Sequence, residues 1–208
     1  MIRILFFALI CLNFQAINAQ TPLSEKEQLI LKTNVQKNAK QTQTIVSDFV
    51  QTKEMEFLND VAESKGKLIF KSPDKIRWEY ISPYPYTVIF KEDKLFVNDD
   101  GKKSDMDLSS NKMFRSFNKL IIGSIQGDMF DEEAFDISYF KTEENYMVNF
   151  ITKEKGIRKF IASFQLTFDK NTSEVLQVKM TEPSGDFTTI VFKNRKENTS
   201  VLDSVFSF

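Results

Sequence analysis

From residue 45 onward the chain is written largely in a period of two, and that rhythm leaves it little to become except sheet. Phe160, Ala162, Phe164, Leu166 and Phe168 fall on one side of a segment whose other side carries Ser163, Gln165 and Thr167. Leu176, Val178 and Met180 repeat the apolar face in the next segment, and Ile45, Ser47, Phe49 and Gln51 share a face much earlier. The alternation predicts strands over 45–53, 66–71, 76–81, 86–91, 94–98, 135–140, 146–152, 159–169, 174–182, 186–194 and 204–208. Asp100-Gly101 is a hairpin signal, since its tight turn wants positive φ at the glycine. Sheets with one dry and one wet face are usually antiparallel. About eleven strands in succession, with little helix between them, favour one large curved sheet or barrel.

Three stretches depart from this rhythm. Residues 1–19 carry a basic start, an apolar run from Ile4 to Phe14 and the small-residue site Ile17-Asn18-Ala19. That run is short for a bilayer span and reads as a cleaved secretory signal peptide, leaving 20–208 as a single exported domain. Ser24 and Glu27 then match a capping box, and Leu29, Ile30, Leu31, Val35 and Ala39 continue as a helical stripe over 25–40. A second helix is predicted over 109–125, where Met113, Phe117, Leu120, Ile121 and Ser124 recur at helical spacing before Gly127. It could plug the sheet as ordinary core, or cover it as a removable lid. The pattern alone favours the plug, because apolar stripes normally face a core.

Composition narrows the function by what it withholds. The 208 residues include no histidine, and the single cysteine, Cys11, leaves with the signal peptide. The usual base for a serine or cysteine nucleophile is therefore missing, as is the commonest transition-metal ligand. Ser72-Pro73-Asp74-Lys75 and Ser109-Ser110-Asn111-Lys112 fit a serine-lysine spacing, but the K-T-G partner of that chemistry is absent. The acidic clusters Asp99-Asp100, Asp131-Glu132-Glu133 and Glu143-Glu144 lack the spacing of a calcium loop and read as solvated turns. With Arg3 gone from 28 basic residues, 27 stand against 29 acidic ones, mixed along the chain, so no nucleic-acid footprint appears. Neither an enzyme nor a cofactor is implied. What remains in excess is phenylalanine. Phe6, Phe7 and Phe14 belong to the leader, and 18 of the 21 remain. Such a load of rings makes a large apolar interior, whether filled or hollow.

Several short motifs then fall in a recognisable order. Phe49-Val50-Gln51 is followed by Gly66-Lys67-Leu68, and then by Ser72-Pro73-Asp74-Lys75-Ile76-Arg77-Trp78-Glu79-Tyr80-Ile81-Ser82-Pro83. The tail adds Glu182-Pro183-Ser184-Gly185-Asp186-Phe187, then Asn198 and Phe206-Ser207-Phe208. In this order and spacing the chain resembles the LolA family of periplasmic lipoprotein carriers across its mature length. Ser72 stands where some members of that family carry an arginine that helps to hold a lid closed.

The resemblance implies an α+β fold that is mainly β: an unclosed antiparallel β-barrel of about eleven strands with a helical lid over a hydrophobic cavity. It implies a monomer in the periplasm that carries acylated lipoproteins from an inner-membrane ABC transporter toward an outer-membrane acceptor. Alternation combined with the resemblance gives Leu68, Phe70, Ile76, Trp78, Tyr80, Phe164, Leu166, Leu176 and Val178 as the acyl-chain cavity. Met113, Phe117, Leu120 and Ile121 become the lid. Pro73, Arg77 and Pro83 frame one wall strand, with Arg77 on its outer face beside a carboxylate or carbonyl. A carrier of another lipid or glycolipid on the same scaffold, and a lipoprotein-sensing regulator, are the competing readings.

Overall fold

Strands that alternate in this way need partners on both sides, and the chain supplies them mostly through short hairpins. A computed structural model describes residues 20–55, 60–107, 123 and 127–207. Its strands are β1 (Thr21–Pro22), β2 (Thr44–Met55), β3 (Asp60–Lys71), β4 (Lys75–Ser82), β5 (Tyr86–Lys91) and β6 (Lys94–Asp99). They continue as β7 (Lys102–Asp107), β8 (Phe135–Lys141), β9 (Asn145–Thr152), β10 (Ser163–Asp169), β11 (Val175–Thr181) and β12 (Phe187–Glu197). All twelve join one sheet in the order β1-β8-β9-β10-β11-β12-β2-β3-β4-β5-β6-β7. Every pairing is antiparallel. β1 and β7 end the order without pairing to each other, so the sheet is an unclosed barrel, as the resemblance implied.

Local chemistry accounts for much of the register. Asp100 and Gly101 take φ of 46° and 91° in the two-residue loop between β6 and β7. Glu92 and Asp93, at 54° and 57°, make the same kind of loop between β5 and β6 without any glycine. Loops with both residues at positive φ match the twist of the strands they join.

The helix α1 (Glu25–Gln41) begins at the predicted cap. The Ser24 backbone N–H donates to Glu27 at 2.9 Å, and the Glu27 N–H donates back to the Ser24 hydroxyl at 3.4 Å. Its stripe is narrower than the sequence suggested. Leu31 and Val35 are buried, whereas Leu29 and Ile30 face out at 66% and 45% exposure. The buried stripe packs on β8–β10, where Phe135, Val148, Phe150, Leu166 and Phe168 form the main core. Phe150 stacks on Phe164 at 4.7 Å between ring centres, and Phe135 meets both edge-on. Gly127, at φ 77°, lets the backbone lie against Gln36 and Ala39 of α1, where a Cβ would sit 3.0 Å from the Gln36 Cα.

Two expectations about elements are corrected, and a third falls outside the described residues. The segment 159–162 is not strand: a short helix α2 (Lys155–Arg158) precedes it, β10 starts at Ser163, and Phe160 is 57% exposed. The predicted strand over 204–208 is instead a 3-10 turn, Asp203–Phe206, laid on the outer face of β4 and β5. There Phe206 and Ile89 are buried, and Arg77 Nη1 donates to the Val205 carbonyl at 3.2 Å. The predicted helix over 109–125 lies outside the described residues apart from Gly123, so Met113, Phe117, Leu120 and Ile121 are not placed.

Candidate functional site

Across β2–β5 the inward side chains stand in rows. Ile45, Phe70, Ile76 and Phe90 make the first, Ser47, Leu68, Trp78 and Val88 the second, and Phe49, Gly66, Tyr80 and Tyr86 the third. Within the first row Phe70 and Ile76 are packed shut against Ile45 and Leu68, at 2% and 0% exposure, while Ile45 and Phe90 still reach open space. The other rows face β10–β12 across open space. Curvature of the sheet leaves a cavity of about 350 Å³ there. The C-terminal half of α1 forms a further wall through Val35, Asn38, Ala39 and Thr42.

Among the described residues, the position of α1 divides the phenylalanines. Where the helix covers β8–β10, rings fill the interior; toward β2–β5 a cavity stands open between the described residues. The cavity wall takes only Phe90, Phe164 and Phe192 from the described phenylalanines, while Phe135, Phe150 and Phe168 belong to the core.

Of the residues expected to line the cavity, Leu68, Trp78, Tyr80, Phe164, Leu166 and Val178 do so. Phe70 and Ile76 do not, because their side chains are packed against Ile45 and Leu68. Leu176 does not either. Phe168 pairs with Val175 and Thr167 with Gln177, so Leu176 is the extra residue of a bulge, and Val175 takes the inward place. Pro73 and Pro83 bracket β4, each after a cis peptide bond. Arg77 grips Glu79 on the outer face with two contacts of 3.2 Å.

A second bulge brings in residues that alternation alone assigns to the wrong face. Lys193 pairs with Asp48 and Lys196 with Val46, leaving two residues of β12 opposite one of β2. Asn194 takes φ 53° at this point, and Arg195 and Glu197 both reach the cavity wall. Arg195 Nε donates to Glu197 Oε1 at 2.9 Å, and the Thr42 hydroxyl donates to Glu197 Oε2 at 3.4 Å. With Glu174 they give the end of the cavity beside α1 a charged rim. Gln51, Tyr86, Ile190 and Phe192 also line the wall; alternation from Phe49 was enough to find Gln51.

Aromatic rings hold the middle of the wall. Trp78 lies 4.7 Å from Phe49 and 6.2 Å from Phe192, and Tyr80 meets Phe49 edge-on at 5.2 Å. The Tyr80 hydroxyl donates to Gln51 Oε1 at 2.9 Å. Burial pushes the Tyr80 phenol above its ordinary value, and hydrogen bonding with Trp78 and Gln51 only partly offsets this. The phenol is therefore neutral at physiological pH. No group of three or more His, Cys, Asp or Glu side chains among the described residues could hold a metal. Lys75, the lysine of the first serine-lysine pattern, contacts Asp203 at 3.2 Å. The site offers shape and apolar surface rather than reacting groups.

Comparison with known proteins agrees with this architecture. An uncharacterized conserved protein from Thermus thermophilus superposes with a TM-score of 0.53 over 86% of this chain and 91% of its own, at 10% identity. A LolA superfamily protein from Nitrosomonas europaea superposes with a TM-score of 0.47 over 86% and 97%, at 7% identity. The outer-membrane lipoprotein carrier protein of Pseudoalteromonas translucida (strain TAC 125) is 21% identical over 148 residues, which is 71% of this chain and 68% of that protein. The family described as outer membrane lipoprotein carrier protein LolA matches residues 40–208, from the end of α1 through every later strand to the C-terminal turn. This chain belongs to the LolA family.

Proposed function

We propose that the protein is a periplasmic carrier that takes the acyl chains of lipoproteins into the cavity between β2–β5 and β10–β12. It would receive them from an inner-membrane ABC transporter and deliver them to the outer membrane. The observation that carries this reading is an apolar cavity of about 350 Å³ left open beside a well-filled core. That volume lies within the range of about 300–1,000 Å³ seen for ligand sites. Family membership and the likeness to a named carrier protein support the choice of cargo.

The energetics suit carriage rather than storage. Burying a C16 chain is worth on the order of 12 kcal/mol at about 0.8 kcal/mol per methylene. A cavity smaller than the full cargo recovers only part of that, which keeps release feasible.

The test is mass spectrometry of what co-purifies with the mature chain from its own periplasm. Acylated lipoproteins are the expected result, and their loss from a Met180→Glu variant would tie them to the cavity, because Met180 lines the wall without being fully buried. An empty chain that also takes up no fluorescent acyl probe would overturn the reading. A glycolipid would keep the cavity and change the cargo.

A further inference from the structure

The corner between β9 and β10, built around α2, concentrates positive charge. Residues 153–160 carry Lys153, Lys155, Arg158 and Lys159 against the single acid Glu154, in a chain whose formal net charge is −1. Lys153 serves the fold: it contacts Asp136 at 3.4 Å and donates to the Glu132 carbonyl at 2.7 Å. Lys155, Arg158 and Lys159 are exposed and have no carboxylate partner among the described residues. Phe160, next in the chain, is exposed as well.

The corner is firmly mounted. Ile157 is buried beneath it, and the Ile157 carbonyl accepts from the backbone N–H of Phe160 at 2.8 Å and of Ile161 at 2.9 Å. Ile161 then lines the cavity, so the corner adjoins the site already described. The register brings the starts of β10, β12 and β3 and the ends of β11, β2 and β4 to this one end of the sheet. Ile81 and Tyr84 are exposed there too, with Tyr84 between Pro83 and Pro85. Unpaired cations beside apolar tips suit the boundary of an anionic bilayer, where the charges meet phosphates and the tips enter the headgroup region. An acidic protein is a poorer match, because the tips stand on separate loops rather than in one groove that a partner's chain would fill.

We propose that Lys155, Arg158, Lys159 and Phe160 form a foot that seats this end of the sheet on an anionic phospholipid surface, with Ile81 and Tyr84 as a second point of contact. Such seating shortens the path of an apolar ligand through water. The inference holds whatever ligand fills the cavity, so it stands apart from the lipoprotein reading. Residues 20–208 contain no cysteine, so Phe160→Cys and Leu202→Cys can each carry one environment-sensitive fluorophore. Leu202 is also exposed but lies at the other end of the sheet, next to Asp203, which contacts Lys75 at the start of β4. Vesicles of phosphatidylcholine and phosphatidylglycerol in equal parts should shift the label at Phe160→Cys to the blue and leave that at Leu202→Cys unchanged. Flotation of the unlabelled chain with these vesicles, and with pure phosphatidylcholine, reads the partition. Lys155→Gln, Arg158→Gln and Lys159→Gln should each lower it about fivefold on the anionic vesicles. Phe160→Ser should lower it as well, and all four variants should keep the melting temperature of the unmodified protein because the positions are exposed. Equal partition into the two vesicle types, equal shifts at the two labels, or no flotation would overturn the foot while leaving the carrier reading intact. Salt-sensitive binding to polyglutamate without binding to vesicles would overturn it in favour of an acidic protein.

Discussion

Gly66 shows how much one missing methyl group can decide. It occupies the inward row between Phe49 and Tyr80, and a Cβ there would lie 2.0 Å from the Glu79 carbonyl oxygen and 2.5 Å from the Phe49 ring. The backbone contact cannot yield without parting β3 from β4. Gly66→Ala should therefore destabilise the protein by about 1–3 kcal/mol, the usual cost of overpacking, read as a lower urea midpoint. An unchanged midpoint would mean that the strands give way more easily than their register suggests. The sequence marked this glycine by its motif, and alternation found Trp78, Tyr80 and Val178 on the correct face. It failed at Leu176 and Arg195 for one physical reason. A bulge adds a residue to a strand and inverts the parity of everything beyond it, and no composition rule announces where that happens.

At the scale of elements, α1 was legible because its cap is local. Ser24 and Glu27 are three residues apart, so the capping box could be read directly. The long-range partner could not: Lys141 at the end of β8 donates to the same Glu27 carboxylate. That hydrogen bond first, and those from Ser24 next, lower the Glu27 pKa from 4.5 to about 2. A depressed folded-state value means that the stabilisation is complete above about pH 4.5 and is lost as the pH falls through about 2. The difference in melting temperature between the wild-type protein and Glu27→Gln should be largest above pH 4.5 and close toward pH 2. Parallel curves across that window would refute the assignment. The C-terminal turn was misread as strand because Val205 and Phe206 are as apolar as any strand, and only the receiving surface distinguishes the two. That surface is Ile89 with Arg77, on the outer face of the sheet. Phe206→Ala should cost about 3 kcal/mol in chemical unfolding, with early proteolysis near the C-terminus as its local signature.

For the whole molecule, the sequence stated the architecture but not its occupancy. Eleven alternating segments and a motif order sufficed for an unclosed antiparallel sheet. Whether the described phenylalanines fill the interior or line a cavity depends on where one amphipathic helix comes to rest, and that is a tertiary fact. Among the described residues, α1 packs over the filled half of the concave face and borders the open half, so core and cavity share one wall of β10 and β11.

The gap between β1 and β7 has a mechanical consequence. In a closed barrel the bore is fixed by strand number and stagger, and widening it means breaking a ladder somewhere. Here the two margins of the sheet, among the described residues, are not paired with each other, so uncurling the wall like a cuff would leave every existing ladder intact. Such a container would admit guests of different girth at nearly constant cost in backbone hydrogen bonds, which suits the proposed carriage of acyl chains.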